Sequence, residues 1–343
     1  MEQKADKEQN ISRRKFLQLC GTAVAGVGIA GVAGVFLHRK LTAPLPYASV
    51  RPEGANSGQP GFASPYRLES SFQAPGAIEA FELAGDRLIV AASNQIYMYD
   101  TTGALAHSFA VGSDLRDIAA DERHIYLLFP ARIEVYSPAG EWLRDWEACD
   151  DTADYCSMAL TPSALFVTDA ANKNICQYTA EGQFVRFIQS PDGFIVPSYS
   201  FGITYADGVI YCSNPGRHRV EKYTPDGAYT GFFGEAGETA GRFGGCCNPV
   251  HLTHTAAGEI ITSEKGKPRI SCYGTDGTFR SLLLDSPTLG GGHTAYDVKI
   301  LKGRLFVAGN SRISVYRYDS TQAAATACST CKADCPLRKG VTI

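Results

Sequence analysis

One short pattern recurs six times and constrains the fold more than any other feature of this 343-residue sequence. A polar residue is followed by Ile or Val, a Tyr stands three positions further on, and in five of the six copies a Gly comes four residues after the Tyr. The tyrosines are Tyr99, Tyr136, Tyr178, Tyr223, Tyr273 and Tyr316. Their spacings run from 37 to 50 residues, which is typical of propeller blades rather than of helical repeats.

One complete copy of the repeat lies between residues 245 and 284 and shows what each unit folds into. Turn signals at Asn248-Pro249, Gly258, Gly266-Lys267-Pro268 and Asp276-Gly277 separate short β-rich runs. The predicted strands are His251 to Thr255, Glu259 to Thr262, Arg269 to Tyr273 and Thr278 to Leu284. Four short strands joined by tight turns form one blade of a β-propeller.

With these motifs the sequence resembles the NHL-repeat family of six-bladed β-propellers over about residues 66–320. The resemblance depends on the Asn-Pro before an inner strand and on the I-x-x-Y-x-x-x-G ending. It implies an all-β, six-bladed fold. It also implies an activity to consider, because some NHL-like propellers are metal-dependent lyases or hydrolases.

The last repeat lacks a fourth strand, because the pattern stops after Tyr318-Asp319. Residues 66–72 resemble residues 103–109, which form the fourth strand of a later blade. We therefore expect the N-terminal strand to complete the last blade. Such an arrangement would close the ring and remove its exposed strand edges.

Residues 1–40 are predicted to be an export signal or membrane anchor. Ser12 to Leu17 match the twin-arginine pattern, and the apolar run Leu17 to Leu37 is long enough to span a bilayer. No clear small-x-small cleavage site follows, so we expect an uncleaved anchor, a linker at 41–65 and a propeller outside the cytoplasmic membrane.

Charge excludes one class of partner. Beyond residue 40 the chain carries 25 Lys and Arg against 32 Asp and Glu, a formal charge of −7. Nucleic-acid binding needs a basic face, so we expect a protein partner and a membrane contact but no nucleic acid. Beyond residue 40 the sequence also lacks a P-loop, a G-x-G-x-x-G fingerprint and a G-x-S-x-G nucleophile elbow.

Cysteines form the second informative group, because an exported chain can hold disulfides. Propeller topology places four of them on the face where each inner strand begins, which we call face one: Cys149, Cys156, Cys246 and Cys247. They are candidates for disulfides or for metal binding. A Cys149–Cys156 disulfide would close a short loop, whereas one of the adjacent cysteines, Cys246 or Cys247, is expected to pair with a cysteine elsewhere. Three further cysteines, Cys176, Cys212 and Cys272, are expected as buried apolar residues within strands.

The tail at 321–343 carries Cys328, Cys331 and Cys335-Pro336, a C-x2-C-x3-C-P run. This resembles part of a ferredoxin cluster-binding sequence, which has one more cysteine. Two interpretations stand: an Fe–S cluster or another metal bound by these cysteines, or a tail held by disulfides.

Face one should also collect polar residues at the mouth of the propeller channel. If the inner strands align as their second strands indicate, six residues surround the channel entrance: Ala80, Asp117, Ser157, Gly202, His251 and Asp297. His251, Asp117 and Asp297, with His293 nearby in a loop, are candidate catalytic residues, and the first three are candidate ligands of a divalent metal. The alternative is a polar channel that holds only water.

These observations predict a membrane-tethered, exported propeller that acts as a binding or scaffold module in an extracytoplasmic redox assembly. Two alternatives remain open. One is a metal-dependent lyase or hydrolase with its site at the channel mouth, and the other is an interaction module stapled by disulfides. Whether the protein is an enzyme, and which cofactor it holds, does not follow from the sequence.

Overall fold

Consecutive strands pair in fours, and the resulting antiparallel sheets are arranged as blades around a central channel. The computed structural model describes residues 64–100 and 102–320, and within them it contains six such sheets. The inner strands of neighbouring blades contact one another in a closed circle. The predicted all-β six-bladed propeller is therefore confirmed.

The strands follow the chain in blade order. Blade one contains β2 (Ile78–Ala84), β3 (Arg87–Ala92), β4 (Gln95–Asp100) and β5 (Leu105–Ala110); blade two contains β6 (Asp117–Ala120), β7 (Ile125–Phe129), β8 (Arg132–Tyr136) and β9 (Trp142–Glu147). Blade three contains β10 (Tyr155–Leu160), β11 (Ala164–Asp169), β12 (Asn174–Thr179) and β13 (Phe184–Ile188); blade four contains β14 (Ile203–Ala206), β15 (Val209–Asn214), β16 (Arg219–Tyr223) and β17 (Tyr229–Phe233). Blade five contains β18 (His251–His254), β19 (Ile260–Glu264), β20 (Arg269–Tyr273) and β21 (Phe279–Leu284). Blade six contains β22 (Asp297–Leu301), β23 (Arg304–Gly309), β24 (Arg312–Tyr318) and β1 (Tyr66–Gln73), and two short 3-10 turns lie at Pro197–Tyr199 and Pro215–Arg217.

The N-terminal strand closes the ring, as the sequence predicted. β1 pairs antiparallel with β24, from Tyr66 opposite Tyr318 to Gln73 opposite Arg312, and so becomes the outer strand of blade six. The last blade therefore combines both ends of the propeller. This pairing satisfies the backbone groups of β24 that would otherwise form an open edge.

The repeated Tyr and Gly act together at five of the six boundaries between blades. Tyr136 is buried against Phe109 from the outer strand of the preceding blade, with ring centroids 5.0 Å apart. Gly140, four residues later, lies so close that an added Cβ would be 2.6 Å from the same Phe109 ring, and its φ is +82°. Only Gly combines this backbone conformation with this close approach. The repeat therefore fixes a slot for one large side chain of the neighbouring blade.

Four other boundaries use the same slot with different occupants. The side chains next to the remaining repeat glycines are Phe72 at Gly103, Trp146 at Gly182, Ile188 at Gly227 and Phe233 at Gly277. Apolar side chains thus interlock around the ring, which buries the area that stabilises it.

Several predicted segments lie outside the described residues: the signal or anchor at 1–40, residues 41–63 of the linker, and the cysteine-rich tail at 321–343. Among the residues that the structure does describe, no helix is both long and apolar enough to cross a membrane.

Candidate functional site

Residues at or near the starts of the inner strands surround one cavity at face one. Its volume is about 310 Å³, and its lining includes all six residues of the predicted ring: Ala80, Asp117, Ser157, Gly202, His251 and Asp297. They meet there because every inner strand begins at the same end of the propeller. The ionisable residues of this ring come from blades two, five and six, whereas blades one, three and four contribute uncharged residues.

Asp117 uses its carboxylate to join two blades. Its Oδ2 accepts hydrogen bonds from Ser157 Oγ and from the backbone N–H of Met158, both at 2.8 Å, and its Oδ1 accepts from the N–H of Ile118 at 2.9 Å. Burial raises the pKa of Asp117, and the negative charge of Asp297 raises it further while Lys299 opposes the shift. Asp117 therefore links the inner strands of blades two and three, and few of its lone pairs remain for another ligand.

His251 and Asp297 form the second polar contact of the mouth. His251 Nδ1 lies 3.8 Å from Asp297 Oδ1, and the same oxygen accepts the N–H of Val298 at 2.8 Å. The side chains remain 39% and 18% exposed, respectively, so both can reach a molecule in the cavity. A carboxylate beside an imidazole can orient the ring for proton transfer.

Lys299 brings a positive charge into the channel two residues beyond Asp297. Its ammonium donates to Glu82 Oε2 at 2.9 Å. Burial alone would lower the pKa of Lys299, but the charges of Glu82, Asp297 and Asp117 together raise it. The side chain is therefore a permanent cation balanced by three carboxylates.

Two predicted features of the site need comment. His293 is exposed in the loop before β22 and does not belong to the lining of the cavity. Within the described ranges, no group of three His, Cys, Asp or Glu side chains is placed to hold one metal ion. The hydrogen bonds on Asp117 account for part of this result, because they engage the oxygens that a shared metal would need.

The sequence analysis missed Lys299 and Glu82, although a signal for both exists. Side chains of a strand alternate between its two faces, so the channel-facing positions after Asp297 and Ala80 are Lys299 and Glu82. It also missed Tyr199, whose side chain lines the cavity and is 59% exposed. The loop that carries it has no repeat signature.

The cysteines form two close sulfur pairs in the described part of the chain. Cys149 Sγ lies 2.7 Å from Cys176 Sγ, and Cys246 Sγ lies 3.3 Å from Cys247 Sγ. The structure thus places Cys149 against Cys176 instead of Cys156, which lines the channel cavity. Strand pairing explains the difference, because β12 follows β11 in the same sheet and brings Cys176 under the loop before β10.

Two tyrosines enclose the first pair. Tyr155 accepts the N–H of Cys149 at 2.9 Å and donates to its sulfur at 3.2 Å, and Tyr155 also hydrogen-bonds Tyr178. The hydrogen bond from Cys176 lowers the pKa of Cys149 to about 6, burial opposes this, and Tyr155 assists it. Cys176 is buried, as predicted, but it is more than an apolar filler. Its sulfur contacts Cys149, which belongs to a hydrogen-bonded cluster with Tyr155 and Tyr178.

Comparison with solved structures agrees on the fold. Virginiamycin B lyase from Staphylococcus aureus superposes with a TM-score of 0.52 at 11% identity, covering 74% of this chain and 99% of that one. A streptogramin B lyase gives 0.53 at 13% identity, covering 76% and 100%. A protein of unknown function from Bacteroides thetaiotaomicron gives 0.57 at 14% identity, covering 76% and 73%. At these identities the likeness shows the propeller fold alone.

The sequence matches no protein-family model and no curated protein. The resemblance to NHL repeats therefore stays a prediction from the motifs, as do the twin-arginine signal and the metal or Fe–S centre.

Proposed function

We propose that this chain is an exported, membrane-tethered binding module of an extracytoplasmic redox assembly, and that its ligand site is the face-one channel mouth. The twin-arginine pattern and the cysteine content support the location and the redox context. An Fe–S or other metal centre held by Cys328, Cys331 and Cys335 belongs to this proposal, and its support is the sequence motif alone.

The charge of the mouth indicates the class of ligand. Among the residues that line the cavity, Glu79, Asp117 and Asp297 are acidic, and Arg116 and Lys299 are basic. Glu82, the partner of Lys299, adds a fourth carboxylate, so carboxylates outnumber cations around the mouth. Within the described residues, the ion pair and the hydrogen bond of Asp297 both involve Oδ1, so Oδ2 can accept a hydrogen bond from a ligand. A small ligand with a positively charged amine would complete this arrangement, because hydrogen bonds to ionised groups are the stronger kind.

The cavity sets the size of that ligand. At about 310 Å³ it is at the small end of the range for small-molecule sites. The ring of Tyr199 at its rim offers an aromatic surface on which a cation can stack. We therefore expect a compact amine rather than a peptide.

Binding of small amines tests the proposal. Putrescine, agmatine and choline, each compared with a neutral isostere, would be titrated calorimetrically into the full chain. Asp297→Asn should weaken binding of the preferred amine about tenfold to hundredfold, because a charge-assisted hydrogen bond is lost. Asp86→Asn is the matched control, since Asp86 pairs with Lys302 away from the cavity. Absence of amine binding, or equal affinity in both variants, would contradict the proposal.

The contact between His251 and Asp297 favours a second candidate, a lyase or hydrolase that uses His251 as general base. The fold comparison includes a catalytically inactive histidine-to-alanine variant of virginiamycin B lyase from Staphylococcus aureus with quinupristin, at 16% identity and a TM-score of 0.52. A histidine-dependent reaction is thus compatible with such a propeller. If His251→Ala abolishes turnover of a ligand but the variant still binds that ligand, the protein is an enzyme of this class and not a binding module alone.

A further inference from the structure

The pair Cys246–Cys247 lies in a loop that the fold holds in place. Asn248 donates from Nδ2 to the carbonyls of Gly244 at 2.7 Å and Lys265 at 3.0 Å, and its Oδ1 accepts the N–H of Lys265 at 2.9 Å. These bonds tie the segment that follows β17 to the turn between β19 and β20. The two thiols are therefore presented on a fixed backbone rather than on a loose tip.

The two thiols differ in exposure. Cys246 is exposed, whereas Cys247 keeps only 5% of its surface accessible. Their sulfurs are 3.3 Å apart, close enough to react with each other after small rotations. An outside reagent can reach Cys246 but not Cys247.

A positive charge lies beside the buried member. Lys265 Nζ donates to Ser198 Oγ at 2.8 Å and to Ser200 Oγ at 3.1 Å, and Ser198 Oγ lies 3.4 Å from Cys247 Sγ. Burial raises the pKa of Cys247, but the hydrogen bonds from Ser198 and Cys246 and the charge of Lys265 outweigh it, so the pKa is lowered. The pKa of Cys246 is raised, first of all by its contact with Cys247. An electropositive surrounding of this kind is characteristic of reactive rather than structural cysteines.

We propose that Cys246 and Cys247 form a thiol–disulfide exchange site whose substrates are external dithiols and disulfides. In the oxidised pair, an external thiolate attacks Cys246 Sγ and forms a mixed disulfide. The bond between the two sulfurs of the pair breaks, and its electrons remain on Cys247 as a thiolate beside Lys265. The second thiol of the external molecule then attacks the mixed disulfide and releases Cys246, which takes up a proton from solvent.

The reverse sequence reduces an external disulfide, so two electrons and two protons are exchanged in either direction. The electrostatics suit this order of events. The leaving thiol with the lower pKa departs faster, and the accessible sulfur is the one that must be attacked.

Adjacency makes the bond labile. Neighbouring Cα atoms are about 3.8 Å apart across a trans peptide, which is shorter than the usual separation of about 4.4–6.8 Å in disulfides. Strained and exposed disulfides are the easily reduced ones. The pair therefore fits an exchange role and not a structural staple.

Mass spectrometry of the full chain can follow the pair directly. Cleavage after Arg242 and Lys265 gives a peptide, residues 243–265, whose only cysteines are Cys246 and Cys247. After treatment with glutathione disulfide and acid quenching, we expect this peptide to lose two hydrogen atoms, and reduced dithiothreitol should restore them. With Cys247→Ser, glutathione disulfide should leave a lasting mixed disulfide on Cys246; with Cys246→Ser, Cys247 should stay unmodified.

The lysine provides a kinetic test. Lys265→Met should slow the reduction of the oxidised pair by dithiothreitol about threefold to tenfold, because the leaving thiolate loses its cation. Lys267→Met is the matched control, since Lys267 is 70% exposed and pairs with Glu238 instead, and its rate should equal that of the parent.

Three results would overturn the proposal. The peptide could remain a dithiol even in a large excess of glutathione disulfide. The cysteines could be found linked to a third cysteine. A thiophilic metal ion could block their alkylation until a chelator removes it, which would make the pair a metal site. Equal rates for Lys265→Met and Lys267→Met would remove the role of the lysine and with it the proposed direction of attack.

Discussion

The two sulfur pairs of the propeller have similar spacing but opposite surroundings. Cys149 and Cys176 are separated by 27 residues and enclosed by tyrosines, whereas Cys246 and Cys247 are neighbours at the rim beside a lysine. Oxidation of the first pair would close a long loop and restrict the unfolded chain. Oxidation of the second pair would close no loop and would therefore hardly change the stability of the fold. Its disulfide can form and break in a redox reaction without stabilising or destabilising the propeller. Separation along the chain, more than distance in space, thus decides what each pair can do.

The largest effect is expected from the ion pair that anchors the rim. Arg269 and Glu264 have side chains only 2% exposed and approach to 2.6 Å, Glu264 Oε2 accepts the N–H of Gly244 at 2.9 Å, and Arg269 donates to the carbonyl of Arg242 at 2.9 Å. Removing one partner leaves a buried charge uncompensated, so Arg269→Met should lower the free energy of unfolding by about 3–5 kcal/mol. It should also make Cys247 accessible to alkylation while Cys149 is unchanged.

The control for that variant is Arg312→Met. Arg312 begins β24 as Arg269 begins β20, but it is exposed, so the substitution should change the stability by no more than about 0.5 kcal/mol. Urea unfolding and peptide alkylation would measure both variants. Comparable stability of the two would mean that the buried pair does not anchor the rim loop.

Oxidation of Cys149 and Cys176 should give the next largest effect. For a loop of 27 residues, loop-closure entropy corresponds to about 3.5 kcal/mol of stabilisation. A mild oxidant should therefore raise the melting temperature of the parent and of the Cys246→Ser variant alike. Cys149→Ser should lose this rise. If Cys246→Ser lost it instead, the roles of the two pairs would be reversed.

The ring itself could be predicted from the sequence because its signal is local and repeated. Tyr136 and Gly140 stand at fixed offsets, and a slot that recurs at five boundaries selects the same residue types each time. Closure by β1 followed from the same logic, as did the ring of residues at the channel mouth, since each lies at or near the start of an inner strand.

The pairings across strands could not be predicted in the same way. The contact of Cys149 with Cys176 depends on the register of β10 and β12 on either side of β11, and the anchor from Arg269 to Glu264 depends on the turn between β19 and β20. No repeat encodes either contact, because both occur in one blade only. The channel-facing position of Lys299 could have been predicted from the alternation of side chains along β22. Its ion pair with Glu82 could not, because that contact forms only where the closed ring brings blade six beside blade one.

The smallest effect concerns Tyr155, which polarises the enclosed pair. Tyr155→Phe removes the hydrogen bonds to the N–H and the sulfur of Cys149 and should cost the reduced protein about 1 kcal/mol. Tyr97→Phe is the control. The Tyr97 hydroxyl makes no hydrogen bond to any of the described residues, so this substitution should be nearly neutral.

The pH dependence of the reduced protein separates this polar role from simple packing. The pKa of Cys149 is lowered to about 6 from an ordinary value of 9.0, first by the hydrogen bond from Cys176 and in smaller part by Tyr155. A lowered pKa adds stability that is fully present above the unfolded value and is lost as the pH falls through the folded one. Stability relative to Cys149→Ser should therefore rise between pH 6 and 9, and Tyr155→Phe should reduce that rise by moving the pKa of Cys149 upward. Urea unfolding of the reduced variants at several pH values in this window measures it. A rise of equal size with and without the Tyr155 hydroxyl would show that the tyrosine only fills space around the sulfur pair.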